Sequence, residues 1–280
     1  MSHKSDKSSI GKIAYLGPEG TYTQLAALEF FGDDADLLSC ASIDDVFAAV
    51  ENKVVAYGVV PVENSTEGAI NNTQDCLIDS STKIVGEQIV SIEHSLLALK
   101  NTSKSDIKKI ASHKQSLAQC RAYLAKNFPE AEKLECSSNA KAAIRAQTDS
   151  GTAAIASELA GRLYNLQNLE CQIQDKSNNR TRFLVLALED TKPTGADKTS
   201  ILVYTENKPG ALFRVLEPFE NLKLSLTKIE TRPSKKEAWE YVFFIDFEGH
   251  ADDEGSKKLF ASLGQGGVEV KILGSYPLSR

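Results

Sequence analysis

The sequence predicts an α/β region followed by a smaller α+β domain. Between residues 12 and 189, short apolar segments alternate with amphipathic helical segments, which is typical of βαβ units around a largely parallel sheet. The polar stretch EDTKPTGADK then interrupts this pattern and has the composition of a linker. Beyond it, the order β-α-β-β-α-β matches the ferredoxin-like motif. We therefore expect domains at 12–189 and 199–276, joined by a linker at 190–198, in a chain of 280 residues.

In the first region, apolar runs of strand length are bounded by turn residues, and longer segments with helical spacing lie between them. The helix after the first strand, for example, ends at Gly32-Asp33-Asp34. Strands are predicted at 12–17, 56–65, 84–99, 107–113, 151–157 and 181–188, and helices at 23–31, 43–52, 69–80, 116–128 and 158–164.

The second region shows strand-like alternation, clearest in YVFFIDF, and two helical segments. Strands are predicted at 199–207, 224–233, 237–249 and 268–277, and helices at 210–221 and 255–266. Because this domain is small and appended, we expect a role in regulation or assembly. We also expect a chain that ends near Asp190 to fold and stay active without it.

Composition excludes several classes of protein. A net charge of −6 without a basic block disfavours binding to nucleic acid or to an anionic membrane, and no apolar run approaches the length of a membrane span. The polar start MSHKSDKSS does not resemble a signal peptide. Five scattered cysteines without a C-x-x-C pair, and four scattered histidines, predict reduced thiols in a cytoplasm and no metal site.

Four loops with small polar residues each follow a predicted strand: GPEGTYT (17–23), PVENSTEG (61–68), SHKQSLAQC (112–120) and SSNA (137–140). Ligands of open α/β sheets bind beyond the carboxyl ends of the strands, where helix N-termini offer N–H groups to anions. Together these loops predict a cleft for a substrate that carries carboxylates. Taken singly, Thr21, Ser116 and Ser138 are better explained as helix caps; only the four loops together favour a cleft.

The segment NNRTRF places Thr181 between two arginines just before an apolar strand. Arg180 is expected to be a solvated strand end. Thr181 beside Arg182 could instead be a hydroxyl donor next to a cation that holds a carboxylate. GPEGT lacks the spacing of a phosphate-binding loop, so a nucleotide enzyme is not indicated.

The loops GPEGTYT, PVENSTEG and SHKQSLAQC, followed by NRTRF, resemble the motifs of prephenate dehydratases in order. NKPGAL (207–212) and IETRP (229–233) resemble signatures of their regulatory ACT domain. The resemblance covers residues 12 to 276. It departs from the family pattern at Lys114, Asn139 and Thr231. It implies a two-lobed catalytic region similar to type-II periplasmic binding proteins, with the active site between the lobes, plus a ferredoxin-like ACT domain.

The resemblance also implies residue roles. Catalytic roles fall on Thr181, Glu63, Asn64, Ser112 and Gln119, and substrate contacts on Thr21, Ser65, Arg182 and Phe183. Contacts to a phenylalanine effector fall on Asn207, Gly210, Ala211, Leu212, Glu230, Thr231, Arg232 and Pro233. Two alternatives stay open: Glu63 could form a loop salt bridge, and NKPGAL could be only a strand-to-helix turn.

The implied reaction converts prephenate to phenylpyruvate in phenylalanine biosynthesis, without a cofactor or metal. Phenylalanine would inhibit it from a site between the ACT domains of two chains, in a homodimer or homotetramer. Three other functions remain open at this stage: an arogenate dehydratase, a non-catalytic amino-acid sensor and a structural protein.

Overall fold

The computed structural model describes residues 11–205, 208–233 and 241–279. The strands are β1 Ile13–Leu16, β2 Leu37–Cys40, β3 Tyr57–Asn64, β4 Gly68–Ala69, β5 Lys83–Ser91, β6 Ser95–Ala98, β7 Lys109–His113, β8 Glu132–Cys136, β9 Thr152–Ala156, β10 Gln167–Glu170, β11 Arg180–Ala187, β12 Asp197–Thr205, β13 Leu226–Pro233, β14 Tyr241–Glu248 and β15 Glu269–Pro277. The helices are α1 Tyr22–Phe31, α2 Ile43–Glu51, α3 Asn71–Asp79, α4 Lys114–Gln119, α5 Arg121–Asn127, α6 Asn139–Thr148, α7 Glu158–Leu163, α8 Ala211–Asn221 and α9 Glu254–Gln265. None of the helices in these ranges is both long and apolar enough to cross a membrane.

Two α/β lobes form the first part of the chain. The first lobe has the strand order β2-β1-β3-β11-β5, and the second has β10-β6-β9-β7-β8. The chain passes into the second lobe between β5 and β6 and returns between β10 and β11. These two crossings place the lobes side by side, which confirms the two-lobed α/β fold class.

The sheets are mixed rather than largely parallel. β1 pairs in parallel with β2 and β3, but β11 pairs antiparallel with both β3 and β5. In the second lobe, β7 lies parallel to β8 and β9, whereas β6 is antiparallel to β9 and β10. The prediction was wrong because a strand that returns from the other lobe, such as β11, is not the product of a local βαβ crossover.

Four short strands of the first region were not assigned from the sequence. β2 is a four-residue strand of intermediate and exposed side chains, β4 has two residues, β8 is the segment EKLEC, of which only the end before SSNA was expected, and β10 is the polar edge segment QNLE. Such strands lack the apolar alternation on which the predictions depended. The single helix expected at 116–128 is two helices that meet at Cys120, which is a buried residue.

The C-terminal domain is a four-stranded antiparallel sheet with the order β13-β14-β12-β15, as the ferredoxin-like motif requires. Helices α8 and α9 cover one face of this sheet through residues such as Val215, Phe219 and Leu259. The opposite face lies against the first lobe. There Leu202, Phe244 and Tyr276 pack in one buried cluster with side chains from β3, β5 and β11. The domain is therefore fused to the first lobe through a common core.

The segment expected to be a linker is mostly bound to the C-terminal domain. β12 begins at Asp197, two residues before the predicted boundary. Asp197 accepts hydrogen bonds from the Thr194 hydroxyl and from backbone N–H groups, and the buried His250 side chain lies 3.1 Å from the carbonyl oxygen of Thr191. The domain limits 12–189, 190–198 and 199–276 stay a prediction.

Candidate active site

A cleft of about 270 Å³ lies between the two lobes. It is lined by the loop before α1, the end of β3, the crossing segment at His94, helix α4, the start of α6, and β11. All four loops singled out in the sequence contribute lining residues. Within the described ranges, none of the lining residues is Asp, Glu, Lys or Arg. The cleft is thus polar but formally uncharged when its histidines are neutral.

Thr181 and Asn64 form the centre of the first-lobe wall. They pair across β11 and β3, and the Asn64 Nδ2 lies 2.9 Å from Thr181 Oγ1. The Asn64 amide oxygen accepts from the backbone N–H groups of Thr66 and Glu67, at 3.0 and 3.1 Å. These donors fix the amide with its nitrogen toward Thr181. The threonine oxygen therefore accepts from Asn64 and keeps its own proton for donation.

Asn179 extends this pair. Its Oδ1 accepts from Asn64 Nδ2 at 2.8 Å and from the Thr66 hydroxyl at 3.0 Å, and its side chain lines the cleft. Asn179 was not predicted as a site residue. Only a contact between positions 115 residues apart identifies it.

The N-termini of α1 and α6 face the cleft from opposite lobes. Thr21 caps α1: its hydroxyl accepts from Gln24 N at 3.4 Å and donates to Leu16 O at 3.1 Å. Ser138 caps α6 by accepting from Lys141 N at 3.1 Å. Both residues line the cleft, so the cap interpretation and the cleft interpretation hold together. Two helix dipoles that point at one uncharged cleft favour an anionic ligand.

A second-lobe cluster holds Ser112, Ser116 and Asn139. Both serine hydroxyls lie 3.0 Å from Asn139 Oδ1, and the Ser112 hydroxyl donates to Ile155 O at 2.7 Å. Ser112 is fully buried and does not line the cleft, whereas Ser116 and Asn139 do. Ser116 lies inside α4 and does not cap it, because His113 is the N-cap residue.

His94 links the two lobes across the cleft. Its Nε2 lies 2.8 Å from Gln119 Oε1 in α4, and its Nδ1 lies 3.0 Å from the hydroxyl of Tyr22 in α1. Burial lowers the pKa of His94, while the hydrogen bond to Gln119 opposes this shift. The ring is thus neutral near pH 7. His94 was not predicted, since a single histidine in a strand-like stretch carries no motif.

Four predicted residues lie outside the cleft lining. Ser112 is described above. Ser65 ties the end of β3 to the start of β11, with its hydroxyl accepting from Arg180 N at 2.9 Å. Glu63 forms a salt bridge of 2.7 Å with Lys228 of β13, which is the alternative left open by the sequence. Arg182 points away from Thr181, because successive side chains of a strand face opposite sides.

Arg182 therefore does not line the cleft, in contrast to its expected contact with the substrate. Its guanidinium is 13% exposed and donates to Glu87 at 2.7 Å, to Asp246 at 2.6 Å and to the Tyr276 hydroxyl at 2.8 Å. Glu87 belongs to the first lobe, and the other two partners belong to the C-terminal domain. Phe183, by contrast, lines the cleft beside Thr181 and is buried.

The residues expected to contact an effector lie at two places in the C-terminal domain. Gly210 caps α8 with a φ of 77°, in the left-handed region, and is followed by Ala211 and the exposed Leu212. The segment from Glu230 to Pro233 lies in the edge strand β13, two strands away from β12. Thr231 and Pro233 alternate there with Glu230, which is bound to Lys228, and Arg232, which is bound to Asp75. Asn207 lies outside the described residues.

Two α/β lobes around an uncharged cleft, with a ferredoxin-like domain on the first lobe, define a two-lobed small-molecule-binding protein with an appended domain. A family profile described as prephenate dehydratase matches residues 13–191, and one described as ACT domain matches residues 199–265. The chain belongs to the prephenate dehydratase family and carries a C-terminal ACT domain.

Individual proteins agree with this assignment. The chain is 49% identical over 266 residues to a bifunctional chorismate mutase/prephenate dehydratase of Pseudomonas aeruginosa, covering 95% of this chain and 73% of that protein. It is 36% identical over 273 residues to a prephenate dehydratase of Methanocaldococcus jannaschii, covering 95% and 98%. The crystal structure of the Arthrobacter aurescens prephenate dehydratase in complex with L-Phe superposes with a TM-score of 0.88 at 32% identity, covering 95% and 90%.

Proposed function

We propose that this protein converts prephenate to phenylpyruvate, carbon dioxide and water, as the names of its relatives indicate for those proteins. The observation that carries the proposal is the hydrogen bond from Asn64 to Thr181, which leaves the threonine proton available to the cleft. The bond from the ring carbon to the hydroxyl oxygen breaks as the ring carboxylate leaves as carbon dioxide, and the departing hydroxide takes up one proton to become water. The Thr181 hydroxyl donates a hydrogen bond to that oxygen as negative charge builds on it.

The two carboxylates of prephenate need partners, and the cleft lining offers no cationic side chain among the described residues. The N-termini of α1 and α6 supply N–H groups from the two lobes. A ligand that spans both helix ends would be held with its ring near Phe183 and its leaving oxygen near Thr181. Thr21, which was predicted to contact the substrate, and Gln119, which was predicted to be catalytic, both line this cleft, Gln119 together with His94.

Arogenate dehydration is the second candidate, because a Petunia hybrida relative at 35% identity is named arogenate dehydratase 2. Arogenate carries an ammonium group where prephenate carries a ketone. The lining of the 270 Å³ cleft includes no Asp or Glu among the described residues, so an ammonium held within it would have no carboxylate partner. An adjoining cavity that shares Gln119 and Asn179 does contain Glu67 and Asp175. Prephenate is therefore favoured only for a substrate held within the cleft itself.

A single assay separates these functions. Purified protein is incubated with prephenate or arogenate, and the formation of phenylpyruvate or phenylalanine is followed. The proposal requires faster turnover of prephenate than of arogenate. A protein that binds prephenate without forming product would instead be an amino-acid-pathway sensor, and a protein that binds neither would be structural.

We further propose that phenylalanine inhibits the enzyme by binding between the ACT domains of two chains. The two predicted effector segments are at the same end of the sheet but two strands apart, so a partner domain could complete a site. Nearby apolar side chains are exposed in the single chain: Phe213 by 65%, Ile229 by 44% and Tyr241 by 41%. Light scattering with and without phenylalanine, together with inhibition curves, tests this arrangement. The expected homodimer or homotetramer and the expected cytoplasmic location remain predictions.

A further inference from the structure

The two strands that carry Thr181 and Asn64 also carry, one residue away, the two charged side chains that contact the ACT domain. Thr181 pairs with Asn64 and Arg182 pairs with Glu63 across β11 and β3. A register shift follows between Arg182 and Phe183, where β3 contains one extra residue. The first pair faces the cleft, and the second pair faces the ACT sheet. The ACT domain therefore contacts β3 and β11 on the face opposite the cleft, one residue away from Asn64 and Thr181.

Arg182 is held by three different strands. Glu87 of β5 accepts from its Nε, Asp246 of β14 accepts from its Nη1, and the Tyr276 hydroxyl of β15 accepts from its Nη2. Lys198 completes the charge balance, with its Nζ 2.9 and 3.0 Å from the Glu87 oxygens. Because every arm of a planar guanidinium is bound, Arg182 can move only if the ACT sheet moves.

Glu63 is held by a lysine that has two carboxylate partners. Lys228 Nζ lies 2.7 Å from Glu63 Oε2 and 3.3 Å from Glu230 Oε2. Glu230 belongs to the segment expected to contact phenylalanine, whereas Glu63 precedes Asn64. The lysine side chain is 12% exposed, so water screens these contacts only partly. A change at Glu230 therefore alters how Lys228 interacts with Glu63, the residue that precedes Asn64.

We propose that Glu63 and Arg182 are positioning residues through which the ACT domain controls the hydrogen bond between Asn64 and Thr181. This inference rests on the proposed function. When the ammonium group of an effector pairs with Glu230, Lys228 interacts with Glu63 alone. The strengthened contact between Lys228 and Glu63 then displaces β3, which shifts Asn64 relative to Thr181. Small displacements suffice, since a misplacement of about 1 Å can lower a rate by about 10²-fold. The role of Glu63 is thus to position Asn64 without contact to the substrate.

The first test uses Lys228→Gln, which removes the charge shared by Glu63 and Glu230. Lys258→Gln is the matched control, because Lys258 pairs with Glu254 on the exposed surface of α9, away from the interdomain contact. We expect Lys228→Gln to bind phenylalanine within about threefold of the parent, while the activity that remains at saturating phenylalanine rises about tenfold or more. Calorimetry gives binding, and the prephenate assay gives inhibition. Lys258→Gln should match the parent in both.

Either of two results would overturn the inference. Unchanged inhibition of Lys228→Gln would show that its charge transmits nothing. Joint loss of binding and inhibition would show that Lys228 is part of the effector site itself.

The second test does not depend on turnover. Hydrogen exchange of residues 57–64 and 180–187 is measured with and without phenylalanine. In the parent, phenylalanine should change exchange in both strands, and in Lys228→Gln the change at 57–64 should disappear. A parent that binds no phenylalanine, or binds it without any change in these strands, refutes the coupling. A parent with the exchange response but no product from prephenate refutes the proposed function alone.

A third variant, Tyr276→Phe, removes only the hydroxyl that Arg182 contacts. We expect kcat to fall about tenfold with KM within about twofold, since only the placement of Thr181 changes. A purely structural role for the network predicts a lower melting temperature with an unchanged kcat, and that result would contradict the assignment of Arg182.

Discussion

Asn64 Nδ2 lies 2.9 Å from Thr181 Oγ1, and the direction of this hydrogen bond is set by the residues around it. The Asn64 oxygen is occupied by backbone N–H groups, so its nitrogen must be the donor toward Thr181. This relationship determines whether the threonine proton is available to a substrate. Donation from Thr181 to a substrate therefore requires this direction of the hydrogen bond and not only the presence of the two residues.

Asn64→Asp reverses the hydrogen bond without changing the shape of the side chain. An aspartate carboxylate only accepts, so the Thr181 hydroxyl turns its proton toward residue 64 and away from the cleft. We expect kcat to fall about 10²-fold, as for the loss of one transition-state donor. Asn127→Asp on the exposed surface of α5 is the control and should keep the parental rate. A rate for Asn64→Asp close to that of the parent would show that the bond direction does not matter.

Stability should depend on pH through His94. Burial lowers its folded-state pKa below the ordinary value of 6.5, so the unfolded chain binds this proton more readily. The free energy of unfolding therefore decreases as the pH falls below about 6.5, with a contribution of at most about 1.4 kcal/mol per pH unit.

Urea unfolding of the parent and of His94→Gln between pH 5 and 7 measures this contribution as a difference. The variant should lose less stability toward pH 5 than the parent does. Parallel pH profiles would show that His94 has the same pKa in the folded and unfolded chains.

Glu87→Gln should destabilise the protein strongly. The Glu87 side chain is 1% exposed and accepts from both Arg182 and Lys198, so neutralising it leaves two partly buried cations with one carboxylate, Asp246. Breaking a buried pair in this way typically costs about 3–5 kcal/mol. Denaturant unfolding gives the value. Glu254→Gln on the exposed face of α9 should be indistinguishable from the parent, and a similarly mild effect of Glu87→Gln would contradict the importance of the network.

A chain that ends at Asp190 should not remain soluble as a folded protein, in contrast to the separable domain that the sequence pattern predicts. Leu202, Phe244 and Tyr276 of the ACT sheet share one buried cluster with the first lobe. Their removal exposes the apolar side chains of β3, β5 and β11 that they cover. Size-exclusion chromatography and circular dichroism measure the outcome. A monodisperse, active fragment would show that the shared core is not required for folding.

Most of the element order and the four cleft loops could be predicted, because apolar periodicity and turn residues are local signals. The directions of Arg182 and Thr181 also follow from local rules, since adjacent residues in a strand cannot both face the cleft. The same rule separates Glu63 from Asn64, but it does not say which of the two faces the cleft. The extra residue of β3 near Val62 shifts the alternation along the strand, and only the pairing with β11 shows that Asn64 is the residue on the cleft side. Asn179 and His94 contact site residues that are distant from them in the sequence, and a single sequence gives no information about such contacts.

The most direct test of the central claim is the turnover of prephenate by Thr181→Ala, with Thr181→Ser as the matched control. We expect Thr181→Ala to fold and bind phenylalanine like the parent but to lose about 10²–10³ in kcat, because one transition-state donor is removed. Thr181→Ser keeps a hydroxyl at the same position and should retain most of the activity. If Thr181→Ala keeps a kcat within a few-fold of the parent, Thr181 does not donate to the leaving oxygen and is only a residue at the end of a strand.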